Sequence, residues 1–315
     1  MRIVYLGTGE IGIPALAWLM DSPQVELAGV VTQPDRPAGR GEKLRAGPVK
    51  VWAQERGLAI QQPASVNKPD ALAELAAWQP DLIVVCAFGQ ILKQPLLELP
   101  PQGCINIHAS LLPRHRGASC IQAALLAGDE CSGITIIQMD AGLDTGDMLA
   151  KRLEAIEEHD TAAVLHDRLA ELAPAALEQA VSQIINGTVQ PEVQIEAEAT
   201  YAPKLARQDG EIDWSQPVRE IATKMRALYS WPGSYTFYQN ARGERKRVKL
   251  LPPVRVDPAS TDEVPAGALR EDESGDIRVA AGNGELVLGQ VQPEGSKVMT
   301  AAAWARGVDL SQKLG

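Results

Sequence analysis

Along the first half of the chain, short apolar runs alternate with stretches whose apolar positions recur every three to four residues. The runs predict strands over 3–6, 27–31, 82–86 and 105–108, and the longer period predicts helices over 13–20, 48–56, 69–78 and 118–127. Strand-then-helix alternation packs as a largely parallel sheet with helices on its faces, so the first half reads as α/β. Further strands are expected over 134–139 and 148–153, and a helix over 161–186 that stops at Gly187, a residue suited to a left-handed helix end.

The texture then changes. Pro191, Pro203 and scattered charges break any apolar period, and a connector is expected over 190–208. Beyond it come a helix pattern over 218–228 and short alternating runs at 235–238, 248–251, 277–280 and 286–291, separated by Pro and Gly turns. These predict a small β-barrel or sandwich, closed by a helix over 300–306 before Gly307. The expected division is therefore an α/β domain over 1–189, the connector, and a β domain over 209–315.

Composition narrows the class. A chain of 315 residues that is 45% hydrophobic and 22% charged is neither disordered, collagen-like nor a coiled coil. Cys86, Cys104, Cys120 and Cys131 show no CxxC or CxH spacing, so no metal site is expected and a reducing compartment is the natural setting. The opening Met1-Arg2-Ile3-Val4 lacks the charged and apolar regions of an export signal. No apolar run approaches the ~20 residues that span a bilayer, so a cytoplasmic protein without membrane contact is expected.

The formal net charge of -10 excludes a protein that holds nucleic acid by bulk charge alone. Local fields are another matter, because phosphate contacts act within a Debye length of about 8 Å. Residues 33–50 carry Arg36, Arg40, Lys43, Arg45 and Lys50 against Asp35 and Glu42. Residues 242–249 carry Arg242, Arg245, Lys246, Arg247 and Lys249 against Glu244.

Two motifs carry candidate chemistry. Gly7-Thr8-Gly9-Glu10-Ile11-Gly12 follows a strand and precedes a helix, the context of a dinucleotide-binding turn. That motif also needs an acid at the end of the second strand, where this chain has Val31-Thr32-Gln33, so the glycines read better as a tight strand-to-helix turn. In Asn106-Ile107-His108, the Asn and His are two apart on a strand and share one face of the sheet. Downstream lies the acidic loop Met139-Asp140-Ala141-Gly142-Leu143-Asp144. An Asn, a His and an Asp brought together suit acyl transfer: an amide for an oxyanion, an imidazole for a proton and a carboxylate to orient it. The same residue types serve as caps and turns at strand ends, so the spacing leaves both readings open. His115 reads as a turn residue or a substrate neighbour, and Cys104 and Cys120 read as packing.

Asn106-x-His108, then Ser110-Leu111-Leu112-Pro113 and Gly117, with Asp144 farther on, resembles the 10-formyltetrahydrofolate-dependent formyltransferases. Gln33-Pro34-Asp35-Arg36-Pro37-Ala38-Gly39-Arg40-Gly41 and Trp231-Pro232 extend the resemblance over nearly the whole chain, toward the members that act on methionyl-tRNA. The resemblance implies a Rossmann-like N-terminal formyltransferase domain with a C-terminal OB-like β-barrel that binds tRNA. It implies transfer of the formyl group of 10-formyltetrahydrofolate to the α-amino group of methionyl-initiator-tRNA, by a monomer that uses no metal. Asn106 and His108 would stabilise the oxyanion, and Asp144 would orient His108 and assist proton transfer through water. The folate would lie against Phe88, Gly89, Gln90, Ser110, Leu111, Leu112, Pro113, Met139 and Asp140. Arg40, Lys43 and Lys204 would approach the RNA. Sister enzymes that formylate nucleotide-linked amino sugars share the trio, and the basic loop around Arg40 favours tRNA over a sugar. An NAD-dependent dehydrogenase would rest on Gly7–Gly12 alone, and a non-catalytic RNA-binding module on the basic segments alone.

Overall fold

A computed structural model describes residues 1–38, 43–240, 242–258 and 264–315, with the backbone alone at Ala38 and Lys43. Arg40 lies outside the described residues. The chain forms two compact units: Met1–Cys120 with Cys131–Ala155 and His166–Ala202, and Ile121–Glu130 with Ile156–Leu165 and Pro203–Gly315.

The first unit is built on a seven-stranded sheet. Its strands are β1 (Arg2–Gly7), β2 (Glu26–Val31), β3 (Ile60–Gln61), β4 (Leu82–Cys86), β5 (Cys104–His108), β6 (Cys131–Gln138) and β7 (Met148–Ala155). In space they run β7-β6-β5-β4-β1-β2-β3. The pairs from β3 to β5 are parallel, and β6 and β7 add antiparallel edges. Helices α1 (Ile13–Asp21), α2 (Pro48–Glu55), α3 (Pro69–Ala77) and α4 (Gln94–Leu97) lie on the connections between the parallel strands. Central strands of a parallel sheet are covered on both faces, which is why Ile-Val-Tyr-Leu in β1 and Leu-Ile-Val-Val-Cys in β4 are continuous apolar runs, all buried. On one face, Val4, Leu6, Ile83, Val85 and Cys104 pack with Leu75 of α3 and with Leu96 and Leu97 of α4. Two short pairs lie outside the sheet: Arg36–Ala38 with Lys43–Arg45, and Arg116–Gly117 with Tyr201–Ala202.

Helices α5 (Cys120–Ala127) and α6 (Ala162–Asn186) follow the expected periods. The stretch after α6 does not behave as a bare connector. Glu192 makes a two-way backbone bridge to Met148, Gln194 is buried, and residues up to Ala202 group with the first unit. Its contacts are single polar residues spaced irregularly, which leave no apolar period to read.

Besides most of α5, the described residues of the second unit include α7 (Val218–Ala227), eight strands and α8 (Ala301–Ala305). The strands are β8 (Ser234–Gln239), β9 (Arg245–Leu251), β10 (Arg255–Asp257), β11 (Leu269–Glu271), β12 (Ile277–Ala281), β13 (Gly284–Leu288), β14 (Gln290–Pro293) and β15 (Met299–Thr300). They form two four-stranded antiparallel sheets, β8-β9-β14-β15 and β10-β13-β12-β11. Val248, Leu250 and Val291 of one sheet share a core with Val279, Leu286 and Leu288 of the other, and with Ile221 and Met225 of α7. The apolar run expected as one strand over 286–291 is two strands, β13 and β14, which part at Gly289 to join different sheets. A strand that changes sheets at a corner keeps its apolar pattern, so the break does not register in the period. Among the described residues, no helix is long and apolar enough to cross a membrane.

Candidate functional site

Strand alternation builds the site. On β5, Ile105 and Ile107 face one way, while Asn106 and His108 face the side that Val85 and Cys104 share. Asn106 pairs with Ile137 and His108 with Thr135 on the neighbouring β6. Thr135 anchors the next loop: its hydroxyl donates to the Ser110 carbonyl at 2.7 Å and accepts from the Leu112 N–H at 3.2 Å.

The third member arrives from the loop between β6 and β7. Asp144 Oδ1 lies 3.5 Å from Asn106 Nδ2, and Oδ2 lies 3.6 Å from His108 Nδ1. The second distance is too long for a hydrogen bond. Oδ2 also accepts from the Gly117 N–H at 2.8 Å. Gly117 has φ +114, and a Cβ there would stand 2.6 Å from the Ala202 carbonyl oxygen, so only glycine brings this N–H to the carboxylate. His108 Nε2 is 3.0 Å from the His115 carbonyl oxygen. A carbonyl only accepts, so Nε2 carries a hydrogen and Nδ1 is the nitrogen that faces the carboxylate. The imidazole is 6% exposed and the carboxylate 15%, so the pair lies largely out of water, where charge is poorly screened.

His115 is therefore a structural partner of the trio through its backbone. Its φ is +60, and that of Asp144 is +53. A non-glycine residue in this region costs of order 1–3 kcal/mol, a strain that surrounding contacts must hold. At His115 the holding group is Thr200, whose hydroxyl accepts the His115 N–H at 2.8 Å and whose carbonyl accepts the Arg116 N–H at 2.8 Å.

The expected folate residues divide by exposure. Ser110 and Leu112 are buried, and the Ser110 hydroxyl donates to the Arg114 carbonyl at 2.7 Å. Leu111 and Pro113 remain partly exposed. Phe88 is buried in the core, while its carbonyl accepts from the Thr8 hydroxyl and the Gln33 amide, each at 3.1 Å. Gly89, at φ +81, is exposed, and the Gln90 amide ties down the Val66 N–H and the Pro63 carbonyl. Met139 packs against the core from the other loop. Asp140 closes its own turn by accepting from the Gly142 N–H and the Thr145 hydroxyl.

The glycine-rich turn has a packing explanation. A Cβ at Gly12 would stand 1.9 Å from the Tyr5 phenol oxygen, and one at Gly7 would stand 2.5 Å from the same ring. The Tyr5 ring fills the space under the turn, and the glycines make room for it. Burial raises the Tyr5 phenol well above its usual range and pushes the Cys86 thiol beside it up to about 12. Burial likewise pushes Cys104 up to about 12. Cys104 and Cys120, expected as packing residues, are both buried, and Cys86 packs beside Tyr5.

The two basic segments also differ. In the first, Lys50 is paired with Asp35 at 2.7 Å, and hydrogen bonds from Gln62 and Lys50 hold that carboxyl below its usual range. In the second, strand alternation turns Val248 and Leu250 into the core and sets Arg245, Arg247 and Lys249 on the opposite face. Across the register, Lys249 meets Tyr235 and Arg247 meets Phe237. The Arg245 guanidinium sits 3.8 Å from the Phe237 ring centre, and that of Arg247 sits 5.6 Å from the Tyr235 ring. Lys204 is exposed on the second unit.

Residues 1–181 match the formyl transferase family, and residues 204–309 match the formyl transferase C-terminal domain family. The chain is 47% identical over 311 residues to the methionyl-tRNA formyltransferase of Thiobacillus denitrificans, covering 99% of this chain and 98% of that protein. It is 45% identical over 307 residues to that of Akkermansia muciniphila, covering 98% and 96%. Among solved structures, it resembles the sugar 3N-formyl transferase WlaRD, crystallised with dTDP and 5-N-formyl-THF. The TM-score is 0.65 at 17% identity, over 94% of this chain and 99% of that one. HypX from Aquifex aeolicus, in complex with tetrahydrofolic acid, has a TM-score of 0.63 at 18% identity, over 98% of this chain and 48% of that one.

Proposed function

This chain belongs to the methionyl-tRNA formyltransferase family, and from that premise we propose how it moves the formyl group of 10-formyltetrahydrofolate onto the α-amino group of methionyl-tRNA. The observation that carries the reading is the convergence of Asn106, His108 and Asp144 on one face of β5.

The amine attacks the formyl carbon and forms a tetrahedral oxyanion. The bond from that carbon to folate N10 then breaks, N10 gains a proton, and the amine loses one. Asn106 has two amide hydrogens and turns one toward Asp144; the second is a donor for the oxyanion. His108 presents Nδ1, because Nε2 is committed to the His115 carbonyl. Asp144 lies against that nitrogen and against the Gly117 N–H, so its carboxylate can receive charge or a proton relayed through water. An amine is already a nucleophile, so no covalent enzyme intermediate is required.

The folate lies beside Gly89, Leu111, Pro113 and Met139, while Phe88, Gln90, Ser110, Leu112 and Asp140 shape the backbone around it. The RNA is held by Arg40, Lys43 and Lys204 and, on the second unit, by Arg245, Arg247 and Lys249 beside Tyr235 and Phe237. Aromatic rings next to guanidinium groups suit exposed bases and phosphates together. The reaction runs in the cytoplasm, in keeping with four free cysteines.

The test is a substrate panel. The protein is incubated with 10-formyltetrahydrofolate and either methionyl-tRNA or a nucleotide-linked amino sugar, and the formylated product is measured by mass spectrometry. Formylmethionyl-tRNA is expected; formylation of the sugar alone would sink this reading.

A further inference from the structure

Asp144 meets His108 only from a left-handed backbone, and something has to hold that backbone there. Its side-chain contacts do not fix its peptide. One side chain from the stretch after α6 does. Gln194 Nε2 donates to the Asp144 carbonyl and to the Gly146 carbonyl, each at 2.7 Å.

Both amide hydrogens are thereby used, on two carbonyls that bracket the turn. The orientation of the amide is fixed as well: Arg116 Nε donates to Gln194 Oε1 at 3.0 Å, and a guanidinium can only donate. Arg116 is itself almost fully buried and is held by Glu196 at 2.8 Å. Its neighbour Gly117 donates to the Asp144 carboxylate. The aspartate is thus gripped at its carboxylate from 117 and at its carbonyl from 194, with Arg116 joining the two grips.

We infer that Gln194 is a positioning residue for formyl transfer, setting the Asp144 loop so that the carboxylate faces His108. The inference rests on the reading of Asp144 given above. Gln194 touches no reacting atom; it acts through the two carbonyls.

Gln194→Glu separates positioning from packing. The carboxylate keeps the length and the acceptor for Arg116, but loses both donors and sets an oxygen against two carbonyl oxygens. Displacing a catalytic group by an ångström costs on the order of 100-fold. Gln194→Glu is therefore expected to lower kcat by about 10- to 100-fold, with KM for folate and tRNA within about threefold of wild type. Gln194→Ala is expected to lower kcat to a similar extent. A Gln194→Glu enzyme with wild-type kcat, or a loss lying wholly in KM, overturns the inference. A crystal structure of Gln194→Glu gives a readout independent of turnover. Asp144 is expected to leave φ near +53 and its carboxylate to move away from His108 Nδ1; an unmoved aspartate overturns the inference. If the wild-type protein fails to formylate methionyl-tRNA, the functional reading falls, and the position of Asp144 in the variant still decides the role of Gln194.

Discussion

At the scale of single residues, the chemistry depends on donors whose alternatives have been used up. Asn106 is the clearest case. In the proposed transfer its amide, aimed by β5, is the oxyanion donor, and removing one such donor typically costs 10²- to 10³-fold in rate. Asn106→Ala is therefore expected to lower kcat by about that factor while folate binding, followed by fluorescence titration, stays within a few fold. The cysteines give a second test. Burial pushes the Cys86 and Cys104 thiols up to about 12, and Cys120 is buried as well, while Cys131 is exposed. A thiol reagent at pH 8 is expected to modify Cys131 quickly in the native protein; rapid modification of a second cysteine would contradict the packing described. Asn106 and His108 were legible in the sequence because strand alternation alone puts positions two apart on one face. The partners that hold His108 and Asp144 were not. His115 acts through a backbone carbonyl and Gln194 through contacts fifty residues away, and neither leaves a periodic mark.

At the scale of elements, the glycine-rich turn shows how one pattern can serve two ends. Its spacing matches a dinucleotide fingerprint, yet the space that the glycines vacate is taken by the Tyr5 ring. Overpacking a buried site typically costs about 1–3 kcal/mol, so Gly12→Ala is expected to lower stability by about that amount in urea unfolding. An unchanged midpoint would mean that the ring can move aside. The main strands and helices were legible because each is long enough to show a period. Two-residue strands such as Ile60–Gln61 have no period to show. The split at Gly289 was hidden because apolar alternation runs on through the corner.

Over the whole molecule, charge is arranged locally against an acidic total. Pairing with Asp35 removes Lys50 from the first basic segment, whereas Arg245, Arg247 and Lys249 are lined up along one strand face. Each phosphate contact contributes roughly 0.7–0.9 to the slope of log affinity against log salt. Replacing both Arg245 and Arg247 with alanine is expected to flatten the salt dependence of kcat/KM for tRNA by about 1.5, with the folate KM unchanged. An unaltered slope would remove this face from the RNA contact. The sequence revealed the charges, but only the strand register showed that three of them share a surface with two aromatic rings.

The stretch after α6 also orders events in time. A chain emerging from the ribosome can complete the seven-stranded sheet once β7 is out, at residue 155. Gln194 and Thr200, which hold the aspartate loop and the His115 turn, are made some forty residues later. A nascent chain thus owns its scaffold before it owns a working centre. The full rate of the proposed transfer is thus expected only after this late segment has been made.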